Sequence, residues 1–102
     1  LNPAYVSSKS ALSGLTRSLA YDFAPFGIRV NNLVPGYFLT DMTKSSYFDP
    51  EKKDERSSRS LLSRWGNTKE LIGSAIFLSS DASSFVTGID LVVDGGWSIK
   101  GL

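Results

Sequence analysis

The 102-residue sequence contains no cysteine and no histidine. Those two absences exclude disulfides, thiolate and imidazole metal sites, cysteine nucleophiles and hydrolytic machinery built on a Ser-His pair. No metal site is expected, and acid–base chemistry near neutral pH has to come from Tyr, Lys, Asp or Glu. An excess of one charge is missing too. Eleven basic residues face ten acidic ones, a formal charge of +1, which gives no basis for expecting nucleic acid or a membrane surface as a partner. No apolar run approaches the roughly 20 residues that span a bilayer. The first residues lack the basic, apolar and small-residue succession of a signal peptide, so a cytoplasmic location is expected. What is present, 41% hydrophobic and 21% charged residues, matches one ordinary globular domain in length and composition.

Asn2 followed by Pro3 suits an N-cap and first helical position, because the Asn side chain can accept from an orphan N–H while Pro has none. Leu12, Leu15, Leu19 and Phe23 then recur at helical spacing, with Ala11, Ala20 and Ala24 as small neighbours that permit close packing. Pro25 and Gly27 mark the helix end. The run Ile28 to Val34, bounded by Gly27 and Pro35-Gly36, predicts a buried strand. Residues 43–60 are crowded with charges of both signs and have little apolar periodicity. They predict a solvated, mobile segment with one or two short helices, either a plain surface excursion or a substrate lid. Asn67 to Glu70 resembles a capping box, and Leu71, Ile72, Ala75, Ile76 and Leu78 trace a second helix ending near Ser80. Ile89 to Val93 reads as a second strand stopped by Asp94-Gly95-Gly96. The order helix, strand, excursion, helix, strand points to an α/β fold with a parallel sheet. Two such strands are too few to stand alone, and the chain runs from Leu1, without an initiator Met, almost straight into a helix. It is therefore expected to be the back part of a longer protein.

Tyr5 and Lys9 stand four apart in the opening helix and share a face. A phenol ionises near pH ~10, so using one near neutrality calls for about 3 to 4 kcal/mol of help. An ammonium at roughly 4 to 5 Å supplies about that much at an effective dielectric near 20. One Lys is thus enough in magnitude, although a pair at this spacing also arises by chance and context has to decide.

The context is YVSSK at 5–9, IRVNNLVPGYFLTDM at 28–42, RWG at 64–66 and ELIGSAIFLSSDASSFVTGIDLVVDGGW at 70–97. In this order and spacing, these segments resemble the C-terminal part of a classical short-chain dehydrogenase/reductase, over nearly the whole chain. The resemblance implies that residues 1–102 are the C-terminal portion of one doubly wound parallel-sheet Rossmann domain. It also implies an NAD(P)H-dependent enzyme that moves a hydride between nicotinamide and a small-molecule alcohol or ketone. Tyr5 would be the catalytic acid–base group and Lys9 its electrostatic partner and a ligand of the nicotinamide ribose. Pro35 and Gly36 would form a wall beside the nicotinamide, Phe38 would offer backbone contacts, and Thr40 would bond the amide or phosphate region. These positions lie past the carboxyl end of a strand, where open α/β sheets bind ligands. A plain strand-ending turn at Pro35-Gly36 and a helix-cap role for Thr40 are the competing readings. Asn31 and Asn32 are expected to be structural, and Trp65 and Trp97 to be packing or subunit-contact residues. A homotetramer or homodimer is implied.

The sequence departs from the family pattern in lacking the glycine-rich pyrophosphate turn, the residue that selects the adenine ribose, and the catalytic Asn and Ser. Ser7 and Ser8 do not replace that Ser, because they lie within the same helical turn as Tyr5. The chain by itself is expected to be inactive, and a non-catalytic assembly fragment is the alternative. Within the family, PGYFLTDMTK and RWGNTKELIGSAIFLSSDASSFVTG read most like the sugar-acid and polyol dehydrogenases, with a substrate such as gluconate. The 3-oxoacyl-carrier-protein reductases, which share the PG-x-x-x-TDM and VDGG patterns, are second. Lys44, Tyr47 and Lys52 or Lys53 could meet a substrate carboxylate or simply form a solvated face.

Overall fold

The computed structural model of the chain describes residues 2–100; Leu1, Gly101 and Leu102, part of the expected portion 1–102, lie outside the described residues. The elements run α1 (Pro3–Phe23), β1 (Asn32–Pro35), α2 (Lys44–Tyr47), α3 (Pro50–Arg59), α4 (Glu70–Ser79) and β2 (Asp90–Val93), with short 3-10 turns at Ala24–Phe26, Asp81–Ser83 and Trp97–Ile99. β1 pairs with β2. Asn32 N–H donates to Ile89 C=O at 2.9 Å and Gly36 N–H to Val93 C=O at 3.0 Å. Both partners advance together along the chain, so the strands are parallel, as the sequence order predicted. The chain divides into two compact units, one of Leu1–Leu33 with Ile76–Leu91, the other of Val34–Ala75 with Val92–Leu102.

In the first unit α1 begins as its cap residues dictate: Asn2 Oδ1 accepts from Tyr5 N–H at 3.2 Å, and Pro3 occupies the first turn. The helix ends through the 3-10 turn to Gly27, whose φ of 70° is left-handed and suits glycine. The small side chains pack as expected at Ala20. Thr16 and Ala20 are buried, whereas Leu12, Leu15 and Phe23 stay exposed. Small side chains allow the close approach, and the Thr16 hydroxyl donates to Asn32 Oδ1 at 2.7 Å. Asn32 Nδ2 in turn donates to Asp90 Oδ1 at 2.6 Å. The first strand is also shorter than Ile28 to Val34. At residues 30–31 side chains take part of the role of the ladder: Val30 N–H donates to Thr87 Oγ1 at 3.1 Å, and Asn31 Oδ1 accepts from Ile89 N–H at 3.2 Å. Arg29 donates to Ser80 C=O at 3.1 Å, Val86 C=O at 3.3 Å and Ser83 Oγ at 2.7 Å. It places a cation just past the end of α4, on the Ser80 carbonyl that also accepts from Ser83 N–H at 3.2 Å.

In the second unit an aromatic cluster forms the centre. Trp65, 7% exposed, meets the rings of Tyr37 and Tyr47 at 5.3 and 5.2 Å, and its indole N–H donates to Lys53 C=O at 3.2 Å. Phe38 bridges to Gly66 in parallel, and a Cβ at Gly66 would overlap the Phe38 ring. The charged segment 43–60 forms two short helices, α2 and α3, the second capped by Asp49, which accepts from Lys52 N–H at 3.2 Å with Pro50 in the first turn. The box at Asn67 also closes as expected: Glu70 Oε2 accepts from Asn67 N–H at 2.7 Å, and Asn67 Oδ1 from Lys69 N–H at 2.9 Å.

Candidate functional site

Tyr5 and Lys9 sit in the first two turns of α1, and their spacing places both side chains on one face. The Lys9 ammonium lies over the Tyr5 ring, 5.7 Å from its centroid. Tyr5 is 52% exposed. Lys9 makes no ion pair with a carboxylate among the described residues. Ser8, one of the two serines of that turn, is occupied locally, its hydroxyl donating to Tyr5 C=O at 2.9 Å. The arrangement offers a phenol and an uncommitted ammonium side by side on an accessible helix face. That is the minimum for a proton-exchanging group with an adjacent positive charge.

The residues expected to touch a cofactor lie in the second unit, at and beyond the end of β1. Pro35 is exposed and closes the strand. Gly36 is fixed by its neighbour: a Cβ there would come within 2.7 Å of Asp94 Cα and Cβ, so the strand end admits no side chain. Phe38 is buried, and its carbonyl accepts from Thr43 Oγ1 at 2.5 Å. Thr40 does what a turn residue does. Its N–H donates to Thr43 Oγ1 at 2.9 Å, its hydroxyl lies 3.1 Å from that same oxygen, and its carbonyl accepts from Lys44 N–H at 2.9 Å. The Asn pair is structural, as the hydrogen bonds of Asn31 and Asn32 to Val86, Ile89, Thr16 and Asp90 show.

The four lid residues that could meet a carboxylate are all engaged by neighbours, Tyr47 through its ring with Trp65 and Lys53. Lys44 pairs with Asp41 at 3.1 Å and Lys52 with Asp49 at 2.6 Å. The Asp49 carboxyl is held below its ordinary range, first by the hydrogen bond from the Lys52 side chain. Lys53 lies over the Tyr47 ring, 4.4 Å from its centroid. Arg56 carries no mark in the hydrophobic pattern: it lies on the half-buried face of α3 with Lys53 and Ser57, in line with the buried C-cap Ser60. The spacing i, i+3, i+4, i+7 was there to be read, but every side chain on it is polar and so invisible to a hydrophobic pattern. Arg64 was also missed as more than part of RWG. It grips Glu70 at two points, 2.7 and 2.8 Å. That hydrogen-bonded pair brings the Glu70 carboxyl down to about 2.

The family model for enoyl-(acyl carrier protein) reductase matches residues 1–98. Gluconate 5-dehydrogenase of Gluconobacter oxydans is 45% identical over 96 residues, 94% of this chain and 38% of that protein. The 2-dehydro-3-deoxy-D-gluconate 5-dehydrogenase of Bacillus subtilis is 44% identical over 97 residues, 95% of this chain and 38% of that protein. Among solved structures, a gluconate 5-dehydrogenase from Burkholderia cenocepacia in complex with NADP and tartrate is 42% identical and superposes with a TM-score of 0.90, covering 94% of this chain and 38% of that one. The chain thus spans about 38% of the length of the curated relatives it matches. With the Tyr5–Lys9 pair, the parallel strands and the PG turn in their expected order, these likenesses place the chain in the short-chain dehydrogenase/reductase family.

Proposed function

We propose that the protein carrying this chain is an NAD(P)-dependent oxidoreductase acting on the alcohol or ketone carbon of a sugar acid or polyol such as gluconate. The observation that carries the reading is the Tyr5–Lys9 pair on one accessible face of α1. When bound, the dinucleotide supplies or accepts the hydride. Tyr5 Oη takes the proton of the substrate hydroxyl in oxidation and returns it to the carbonyl oxygen in reduction. Lys9 places positive charge beside the anionic oxygen that forms when Tyr5 is deprotonated. The ammonium, uncommitted to any described carboxylate, also suits the hydroxyls of a nicotinamide ribose. Pro35 and Gly36 provide a wall without donors or bulk for the nicotinamide, and Phe38 backbone and Thr40 hydroxyl its polar contacts. Residues 43–60 act as a mobile lid over the substrate. The sugar-acid choice rests on the relatives in Gluconobacter oxydans, Bacillus subtilis and Burkholderia cenocepacia. A second reading is a 3-oxoacyl-carrier-protein reductase; the description of the matching family model, an enoyl-(acyl carrier protein) reductase, shares with it the acyl carrier but not the bond reduced.

Among the described residues no helix is long and apolar enough to cross a membrane. A cytoplasmic location and a homotetramer or homodimer go with the reading. The deciding experiment is turnover of gluconate with NAD(P)+ by the full-length protein and its Tyr5→Phe variant. The expected result is a fall in kcat of about 10²- to 10⁴-fold with unchanged circular dichroism. Equal turnover by the two would reject Tyr5 as the acid–base group. Activity confined to a 3-oxoacyl thioester would replace the substrate class. The 102-residue chain on its own is expected to show no turnover.

A further inference from the structure

A cavity of about 90 Å³ lies within the second unit, lined by Tyr37, Arg56, Arg64, Glu70, Asp94 and Trp97 among others. It has room for several waters and two kinds of arginine. Arg64 is spent on its neighbours, pairing with Glu70 through both terminal nitrogens and donating to Trp65 C=O at 3.1 Å. Arg56 has no ion-pair or hydrogen-bond partner among the described residues, and its guanidinium lies 5.1 Å from the centroid of the Tyr37 ring. Stacking of this kind holds the planar group in place while its N–H edge stays open. The acidic groups of the cavity are already answered. Glu70 is matched by Arg64, and the Asp94 oxygens accept from Gly96 N–H at 2.8 Å and Ser98 N–H at 2.9 Å. Ser60 is also satisfied, donating to Gly95 C=O at 2.8 Å and accepting from Leu62 N–H at 3.1 Å. The donors left over are the Arg56 fork, the Tyr37 hydroxyl and the Trp97 indole N–H, none of which has a hydrogen-bond partner among the described residues. A recess with unused donors, one of them a planar cation, and with its own carboxylates neutralised selects a planar anion.

We propose that this cavity is an anion subsite that receives the carboxylate of a small sugar acid, with Arg56 as the anchoring cation and the Tyr37 and Trp97 rings as its walls. The inference deepens the sugar-acid reading above and rests on it for the identity of the ligand. It assigns the discrimination between an acid and a plain polyol to Arg56, rather than to Lys44, Lys52 or Lys53.

The test is the selectivity of the full-length protein, taken as the ratio of kcat/KM for gluconate to that for sorbitol, which lacks the carboxylate. In Arg56→Met this ratio is expected to fall about 10- to 100-fold, the range of a lost hydrogen bond to a charged group. Arg56→Lys, which keeps the charge without the fork, is expected to fall less, and it serves as the readout if the Met variant does not fold. A ratio unchanged from wild type in the folded variant overturns the proposal. Should the wild type turn over no sugar acid, tryptophan fluorescence titrated with gluconate separates the two readings. Saturable quenching that disappears in Arg56→Met upholds the subsite while the enzymatic reading falls, and absence of saturable quenching overturns the subsite itself.

Discussion

Each of the two units of the chain is held together by different physics. In the first, the contacts that close the structure are polar: Arg29 on the end of α4, Thr16 and Asn32 beneath α1, and Asn31 standing in for a strand neighbour. Its buried residues are small, Thr16, Ala20 and Ser83. In the second, aromatic rings pack on one another around Trp65 and Phe38, and charges are confined to surface pairs and one cavity. The lesson is that one short sequence uses two modes of cohesion, one sensitive to unpaired polar groups and the other to lost volume.

Three substitutions probe that contrast. Trp65→Ala removes the centre of the aromatic cluster and the bond to Lys53, and should cost about 3 to 5 kcal/mol, read as a lower urea midpoint in the full-length protein. A cost under 1 kcal/mol would show that the rings do not hold the second unit. Asn32→Ala deletes almost no apolar volume but strands the Thr16 hydroxyl and one acceptor of Asp90. It should cost about 1 to 3 kcal/mol by the same measurement. Hydrogen exchange at Val30 and Gly88 should rise with it, since the Gly88 N–H donates to Val30 C=O beside that network. The smallest effect is electrostatic. Because Glu70 is held at about 2 against an ordinary 4.5, its pairing with Arg64 stabilises the folded state above pH 4.5 and is lost as pH falls towards 2. Glu70→Gln should therefore flatten that acid limb of a stability–pH profile and leave the profile above it parallel to wild type. An unchanged acid limb would place the titrating group elsewhere.

How much of this was legible depends on the range of the interaction that fixes each feature. Asn2-Pro3, the Asn67 to Glu70 box and the Tyr5–Lys9 spacing are local, within four residues, and the structure shows each as the sequence wrote it. The β1 boundary was misplaced because strand assignment needs a backbone partner, and at residues 30–31 the bonds come partly from the side chains of Thr87 and Asn31. On α1 the expected close packing appears at Ala20, joined by Thr16, while Leu12, Leu15 and Phe23 stay exposed. Periodicity marks an apolar face but does not say what lies against it. Arg56 was missed because a polar inward face carries no hydrophobic signal.

The sequence by itself determined the order of elements, the helix starts, the family and the residues on one face of the opening helix, since capping, turn chemistry and i,i+4 spacing act over a few bonds. Only the tertiary structure decided which cations were free. Lys52 meets Asp49 close by, Arg64 meets Glu70 across a loop, and Arg56 is left facing a cavity built from segments 37–38, 56–70 and 93–97. Pairing of charges and the shape of a recess depend on residues brought together from distant parts of the chain, and no local rule ranks those meetings in advance.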